Sequence, residues 1–188
     1  MELIKTLEQA RARALELIQA STEETLAQLQ IVISLYPDDA ILQFLYASEL
    51  AQQEQYLEAL SAFEQSVTLD NKFYIARFQL CLLAATLDQP KIVEQHLPSL
   101  MSLNEQHYLY HFAHAIFCIL QQDEPQAIIY IKQGIELNNE NLALNVDMKN
   151  LAQTLSSDMV QESELLPQET DKNDVTNSML LDIYKQRK

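Results

Sequence analysis

Residues 107–118 read HYLYHFAHAIFC, which sets His107, His111, His114 and Cys118 at spacings of i, i+4, i+7 and i+11. On a helix the four side chains share one face, and imidazole with thiolate is a ligand set that suits zinc. A second chemistry is open to the same stretch, because His114 and Cys118 are i, i+4 neighbours and could act as base and nucleophile. Reach argues against the first. Four ligands along eleven residues of straight helix span about 16 Å and cannot meet at one ion, so at best two, such as His111 and His114, would contribute. The second lacks a group to orient the base and a donor for a developing oxyanion. The expectation is a protein without metal, cofactor or catalytic residue. His111, His114 and Cys118 are its remaining metal candidates and, with Arg77, its remaining enzymatic ones.

Composition narrows the chemistry further. Gly134 is the single glycine among 188 residues, and phosphate-cradling loops, dinucleotide fingerprints and nucleophile elbows all need several. Scarce glycine with abundant Ala, Leu, Gln and Glu favours helices over hairpins, so the expected class is all-α. A formal charge of −15 repels phosphate backbones and anionic lipid, which excludes nucleic acid as a partner. The opening MELIKTLEQARARALELIQA is amphipathic without the apolar core of a signal peptide, and no run approaches 18 apolar residues. The expected location is the cytoplasm, with no direct membrane insertion. Cys81 and Cys118 form no zinc-ribbon or disulfide pattern and are expected to be reduced.

What positions these residues is a period of 34. AILQFLYASELAQQEQYLEALSAFEQSVTLDNKF from Ala40 aligns without a gap on segments starting at Tyr74 and Tyr108. Ser21 with Glu24 reads as a capping box, Asp88 and Asp123 stand just before Pro90 and Pro125 at helix starts, and Pro98 should kink or break its helix. Tyr56-Leu57-Glu58-Ala59-Leu60 followed by Phe63, Ser66, Leu69 and Asp70 resembles the second helix of a tetratricopeptide repeat. Pro125-Gln126-Ala127-Ile128 with Ile131, Gly134, Leu137 and Asn138 does so too, and Ala47, Cys81 and Ala115 match the small residue of each first helix. The resemblance implies a right-handed superhelix over residues 1–156, with repeats at about 6–39, 40–73, 74–107 and 108–141 and a capping helix at 142–155. Strict register puts Arg13 at the small place of the first unit, between Ala12 and Ala14. Residues 157–176 have the composition of an acidic linker, and 177–188 that of a C-terminal amphipathic helix.

The register assigns roles. Place four of successive units holds Gln43, Arg77, His111 and Asn145, a polar column expected to bond within itself or to water. By resemblance, partners bind along the concave face of the first helices. There this chain carries Phe44, Phe78 and Phe112, each 34 residues after the last, with Ile41, Ile75 and Leu109 and then Ser48, Leu82, Ile116, Ala51, Ala85 and Ile119. The Lys, Asn and Arg with which relatives of this fold clamp a terminal carboxylate are missing. The stripe reads either as a groove for an apolar peptide or amphipathic helix, or as core closed over by the fold itself. Met179, Leu180, Ile183 and Tyr184 share one face of the C-terminal helix and should dock on a repeat surface, in cis, on a second copy, or on another protein. The expected function is a non-catalytic adaptor for a protein or peptide with apolar anchors. In size, acidity and groove character the chain also resembles bacterial type III secretion chaperones and repeat proteins that accompany type VI systems.

Overall fold

The computed structural model describes residues 4–164, and among these there are nine helices and no strand. They are α1 (Leu7–Ala20), α2 (Thr25–Leu35), α3 (Ala40–Gln52), α4 (Tyr56–Leu69), α5 (Tyr74–Thr86), α6 (Pro90–Met101), α7 (Tyr108–Leu120), α8 (Glu124–Leu137) and α9 (Leu142–Glu164). The fold is all-α. The chain forms two compact units that divide within α5, one through Leu80 and one from Cys81 onward. No described helix is long and apolar enough to cross a membrane.

The period of the sequence is a period of the backbone. α3, α5, α7 and α9 begin at 40, 74, 108 and 142, and α4, α6 and α8 at 56, 90 and 124. The turns recur with them. Glu54, Asp88 and Gln122 each take the left-handed conformation, with φ of 62, 52 and 59°. The next amide, of Gln55, Gln89 or Asp123, then donates to the carbonyl of Leu50, Ala84 or Cys118 at 2.9, 2.8 and 2.9 Å. This wrapped turn satisfies carbonyls that a helix end leaves orphaned, and it is usually built with glycine. Here Glu, Asp and Gln build it, at a strain of about 1–2 kcal/mol each.

The polar residues of place four bond to backbone carbonyls. Each reaches back six residues to hold the preceding loop: Gln43 Nε2 donates to the Pro37 carbonyl (3.0 Å), Arg77 Nη2 to Asn71 (2.8 Å) and His111 Nε2 to Glu105 (2.7 Å). Asn145 Nδ2 makes the equivalent bond one residue farther back, to the Asn138 carbonyl (2.8 Å).

In the first unit, Ala10, Ala14 and Leu17 of α1 form one face against Leu29, Val32 and Ile33 of α2 and Leu42 of α3. The spacing i, i+4, i+7 is what puts them on a single stripe. α1 starts one residue later than strict register, because Thr6 is its N-cap and accepts from the Gln9 amide. Ala14 thereby takes the buried small place and Arg13 turns outward. The capping box at Ser21 and Glu24 does not form. Ser21 is left-handed and ends α1, while α2 starts at Thr25, whose Oγ1 accepts from the Thr22 amide (2.9 Å). Asp39 caps α3 by accepting from the Leu42 amide (2.9 Å) and receives a two-pronged ion pair from Arg11.

In the second unit, Leu144, Met148, Leu151 and Leu155 make a buried stripe by which α9 packs on α8. An asparagine clasp sets its start: Asn138 Oδ1 accepts from the Asn141 amide (3.0 Å), and Asn138 Nδ2 donates to Asn145 Oδ1 (2.8 Å). α9 continues to Glu164 rather than ending at Leu155, so the first part of the expected linker is helical. The remainder of that linker, and the expected helix at 177–188, lie outside the described residues. α6 runs through Pro98 without breaking, although at 12 residues it is shorter than α4 and α8 at 14. Asp123 caps α8, accepting from the Gln126 amide (3.2 Å), whereas Asp88 is a left-handed turn residue and Gln89 precedes α6.

Two measurements test this framework. Gln122→Gly removes the left-handed strain, and after the larger chain entropy of glycine it should stabilise by about 0.5–1 kcal/mol, raising the melting temperature by about 2 °C in calorimetry. The second concerns Asp39. Burial alone would raise its carboxyl pKa, but the Arg11 hydrogen bond, the Leu42 amide and the Arg11 charge outweigh that and hold it below the ordinary value. A depressed folded pKa gives stability that is present above about pH 4 and is lost as the pH falls through the folded value. Asp39→Asn keeps a capping oxygen and loses the ion pair, whose Arg11 side is 39% exposed. With screening, that loss should be about 1 kcal/mol at pH 7 and should shrink below pH 4 in denaturant titrations.

Candidate functional site

The histidine face of α7 is occupied by architecture. His107 caps the helix, its Nδ1 accepting from the Leu109 amide (3.2 Å). His111 gives its Nε2 proton to the Glu105 carbonyl, and His114 gives its Nδ1 proton to the Tyr110 carbonyl (2.9 Å). A carbonyl only accepts, which assigns both tautomers at the bonded nitrogen. The His114 ring lies 4.2 Å from Tyr110 and 5.1 Å from Tyr130 of α8, and His111 lies 6.2 Å from Tyr130. Cys118 is buried, and burial, reinforced by the Asp123 carboxylate, pushes its thiol pKa up. A thiol held protonated is a weak nucleophile and a weak ligand. Arg77, in the first unit, is bonded to its loop carbonyl. Among the described residues no three His, Cys, Asp or Glu side chains gather closely enough to hold a metal ion.

The stripe at the second, fifth, ninth and twelfth places divides by burial. Phe78, Leu82, Leu109, Phe112, Ile116, Ile119, Ala51 and Ala85 are buried. Ile41 is exposed, while Phe44, Ser48 and Ile75 are half-buried. Phe44 sits 5.9 Å from Phe63 and 5.2 Å from Phe73, ring to ring. Phe112 is held from α8: a β-carbon on Gly134 would overlap its ring, so the one glycine of the chain marks a close approach of backbone and aromatic side chain. In this structure Phe78 and Phe112 are core, and they offer no surface to a partner. Met179, Leu180, Ile183 and Tyr184 lie outside the described residues.

The open apolar surface is elsewhere on α7. In the second unit a groove of about 570 Å³ runs beside α6, floored by Val93, Leu97 and Met101 and walled by Phe117 and Leu120. Phe117 is 45% exposed and Leu120 39%, both large for apolar side chains. Asp88 and Glu94 stand on its lining, which includes no Lys or Arg. The sequence held one signal for it. Place thirteen is polar in the two preceding units, Gln52 and Thr86, and apolar at Leu120. A larger opening of about 890 Å³ between α1 and α2 is less apolar in character. Arg13 crosses it to Glu16 (3.2 Å) and Gln28 (3.3 Å), and residues 1–3, next to its Ile4 lining, lie outside the described residues.

The placement of Phe112 is testable through Gly134→Ala. Helix propensity alone favours the alanine by about 1 kcal/mol. The buried Phe112 ring has no room to swing away, and overpacking costs about 1–3 kcal/mol, so the variant should be net destabilised in thermal melts. A Gly134→Ala chain as stable as wild type or more so would mean that the ring leaves the core freely.

No protein-family model and no curated protein matches the chain, so the reading of the α6–α7 groove rests on its own geometry and charge.

Proposed function

We propose that the chain is a non-catalytic protein-interaction module of tetratricopeptide type, which holds a partner by burying the partner's apolar anchors in the α6–α7 groove. The observation that carries this reading is the exposed Phe117–Leu120 pair on a preformed groove with an acidic lining. Apolar floor with few polar groups is the character of binding sites of this volume, and half-exposed aromatics are the residues that carry interface energy. The charge of −15 favours partners whose anchors are flanked by basic residues and repels anionic ones. The histidine face adds support, since one ring nitrogen of His111 holds a loop carbonyl and one of His114 a helix carbonyl.

The test is quantitative affinity capture from native lysate with wild type and Phe117→Glu. Because Phe117 is half exposed, the variant should keep its helical content and melting temperature, which circular dichroism checks. A charge in the groove should lower retention of a true partner by at least about tenfold, on the scale of a lost interface anchor. If that partner is a secreted subunit, the module acts as a secretion chaperone; if it is a resident protein, it acts as a scaffold. An identical captured set with a folded variant would overturn the groove as the functional site.

A further inference from the structure

We propose that the groove has an internal ligand: the segment around Met179, Leu180, Ile183 and Tyr184 of the same chain, which occupies it until a partner displaces it. The proposal rests on the reading of the groove as a protein-binding site and names what competes for it. Three independent features match segment to groove. The first is pattern, since the four apolar residues at i, i+1, i+4 and i+5 make one helical face. A helix of this length gains little stability alone in water and needs a surface to form on. The groove offers a matching apolar wall, with Phe117 and Leu120 uncovered.

Charge is the second feature. Lys185, Arg187 and Lys188 put three of the 12 cations of the chain in four residues, directly after the apolar face. The groove lining carries Asp88 and Glu94 and includes no Lys or Arg. Reach is the third. Residues 165–176 lie between α9 and the segment, and an extended chain of that length spans about 40 Å, roughly twice the length of α7. A tether of this kind raises the local concentration of the segment to about the millimolar range. Even weak intrinsic affinity would then keep the groove filled, and a partner must exceed it to enter. The segment therefore sets an affinity threshold and selects partners with stronger anchors or more basic flanks.

The experiment uses the full chain and a fluorescent peptide of residues 175–188, with binding read by anisotropy. In one variant the four anchors of the segment are replaced together by serine: Met179→Ser, Leu180→Ser, Ile183→Ser and Tyr184→Ser. The peptide should bind this variant at least about tenfold more tightly than it binds wild type, whose own segment competes. Adding Phe117→Glu to the serine variant should abolish that binding, and Glu94→Lys, at an exposed site, should weaken it and reduce its salt dependence. Equal peptide affinity for wild type and the serine variant would overturn the internal ligand, as would binding indifferent to Phe117→Glu. Light scattering should give a mass independent of concentration. A dimer lost in the serine variant would place the segment in a second copy and overturn the intramolecular form. Failure here with partners still lost on Phe117→Glu would sink only the internal ligand, whereas partners unaffected by that substitution would sink the groove reading itself.

Discussion

The constraint on which the architecture depends is the reversal between helices in a chain that has almost no glycine. Each reversal leaves carbonyls that must find donors, and the chain meets this in two ways at fixed places of the 34-residue unit. Between the helices of a unit, a left-handed Glu54, Asp88 or Gln122 wraps the turn so that the next amide caps the helix. Between units, the fourth residue of the incoming helix reaches back to the loop, as Gln43, Arg77 and His111 do. Gln, Arg and His share no charge or shape. What they share is a donor at the end of a side chain long enough to reach six residues back, and that requirement alone accounts for the variety at this place.

The same logic gives the histidines of α7 a structural use. A run of His and Cys on one helix invites a metal because spacing on a face is all that a sequence displays. The structure adds what one nitrogen of His111, one of His114 and their rings touch: a loop carbonyl, a helix carbonyl, and tyrosines on the same and the next helix. Charge works at longer range. With 27 acidic residues against 12 basic ones, most carboxylates have no cation to pair with inside the chain. Where a pair is partly buried, as Asp39 is with Arg11, it joins α1 to the start of α3. The unpaired remainder gives the surface its sign.

How much could be read from the sequence depended on whether period or environment decides. The helix starts at 40, 56, 74, 90, 108, 124 and 142 follow from the period, since every unit repeats the same apolar spacing. The first unit was harder, because Ser21 has the residue type of a helix cap and yet closes the helix before it. Local chemistry allowed both, and the fit of Ala14 into the core settled the register. Pro98 was legible as a lost donor but not as a tolerated one; α6 carries it and ends three residues later. The phenylalanine stripe marks the limit of pattern reading. Recurrence every 34 residues tells which side chains share a face, but not how closely the next helix covers it. Phe112 is core because Gly134 lets α8 come within ring contact, and that is a property of the pair.

Repetition supplies the frame, and departures from it supply whatever is particular to this chain. An ideal repeat would present the same surface at every unit and discriminate among partners poorly. Here the place that is Gln52 and Thr86 in two units becomes Leu120 in the third, and Phe117 stands out three residues before it, one turn away on the same helix. The adjoining α6 is two residues shorter than α4 and α8 and contains Pro98, which also lines the groove. None of these changes disturbs the turns or the loop-holding residue of its own unit, since His111 and Gln122 keep their places. The proposed binding surface therefore lies where the repeat can vary without loss of its reversals, on the outward side of a helix whose inward side is already fixed by Phe112, Ala115 and Ile119. The proposed function thus puts stability and specificity on different faces of α7, so that a substitution at Phe117 should alter the second while leaving the first in place.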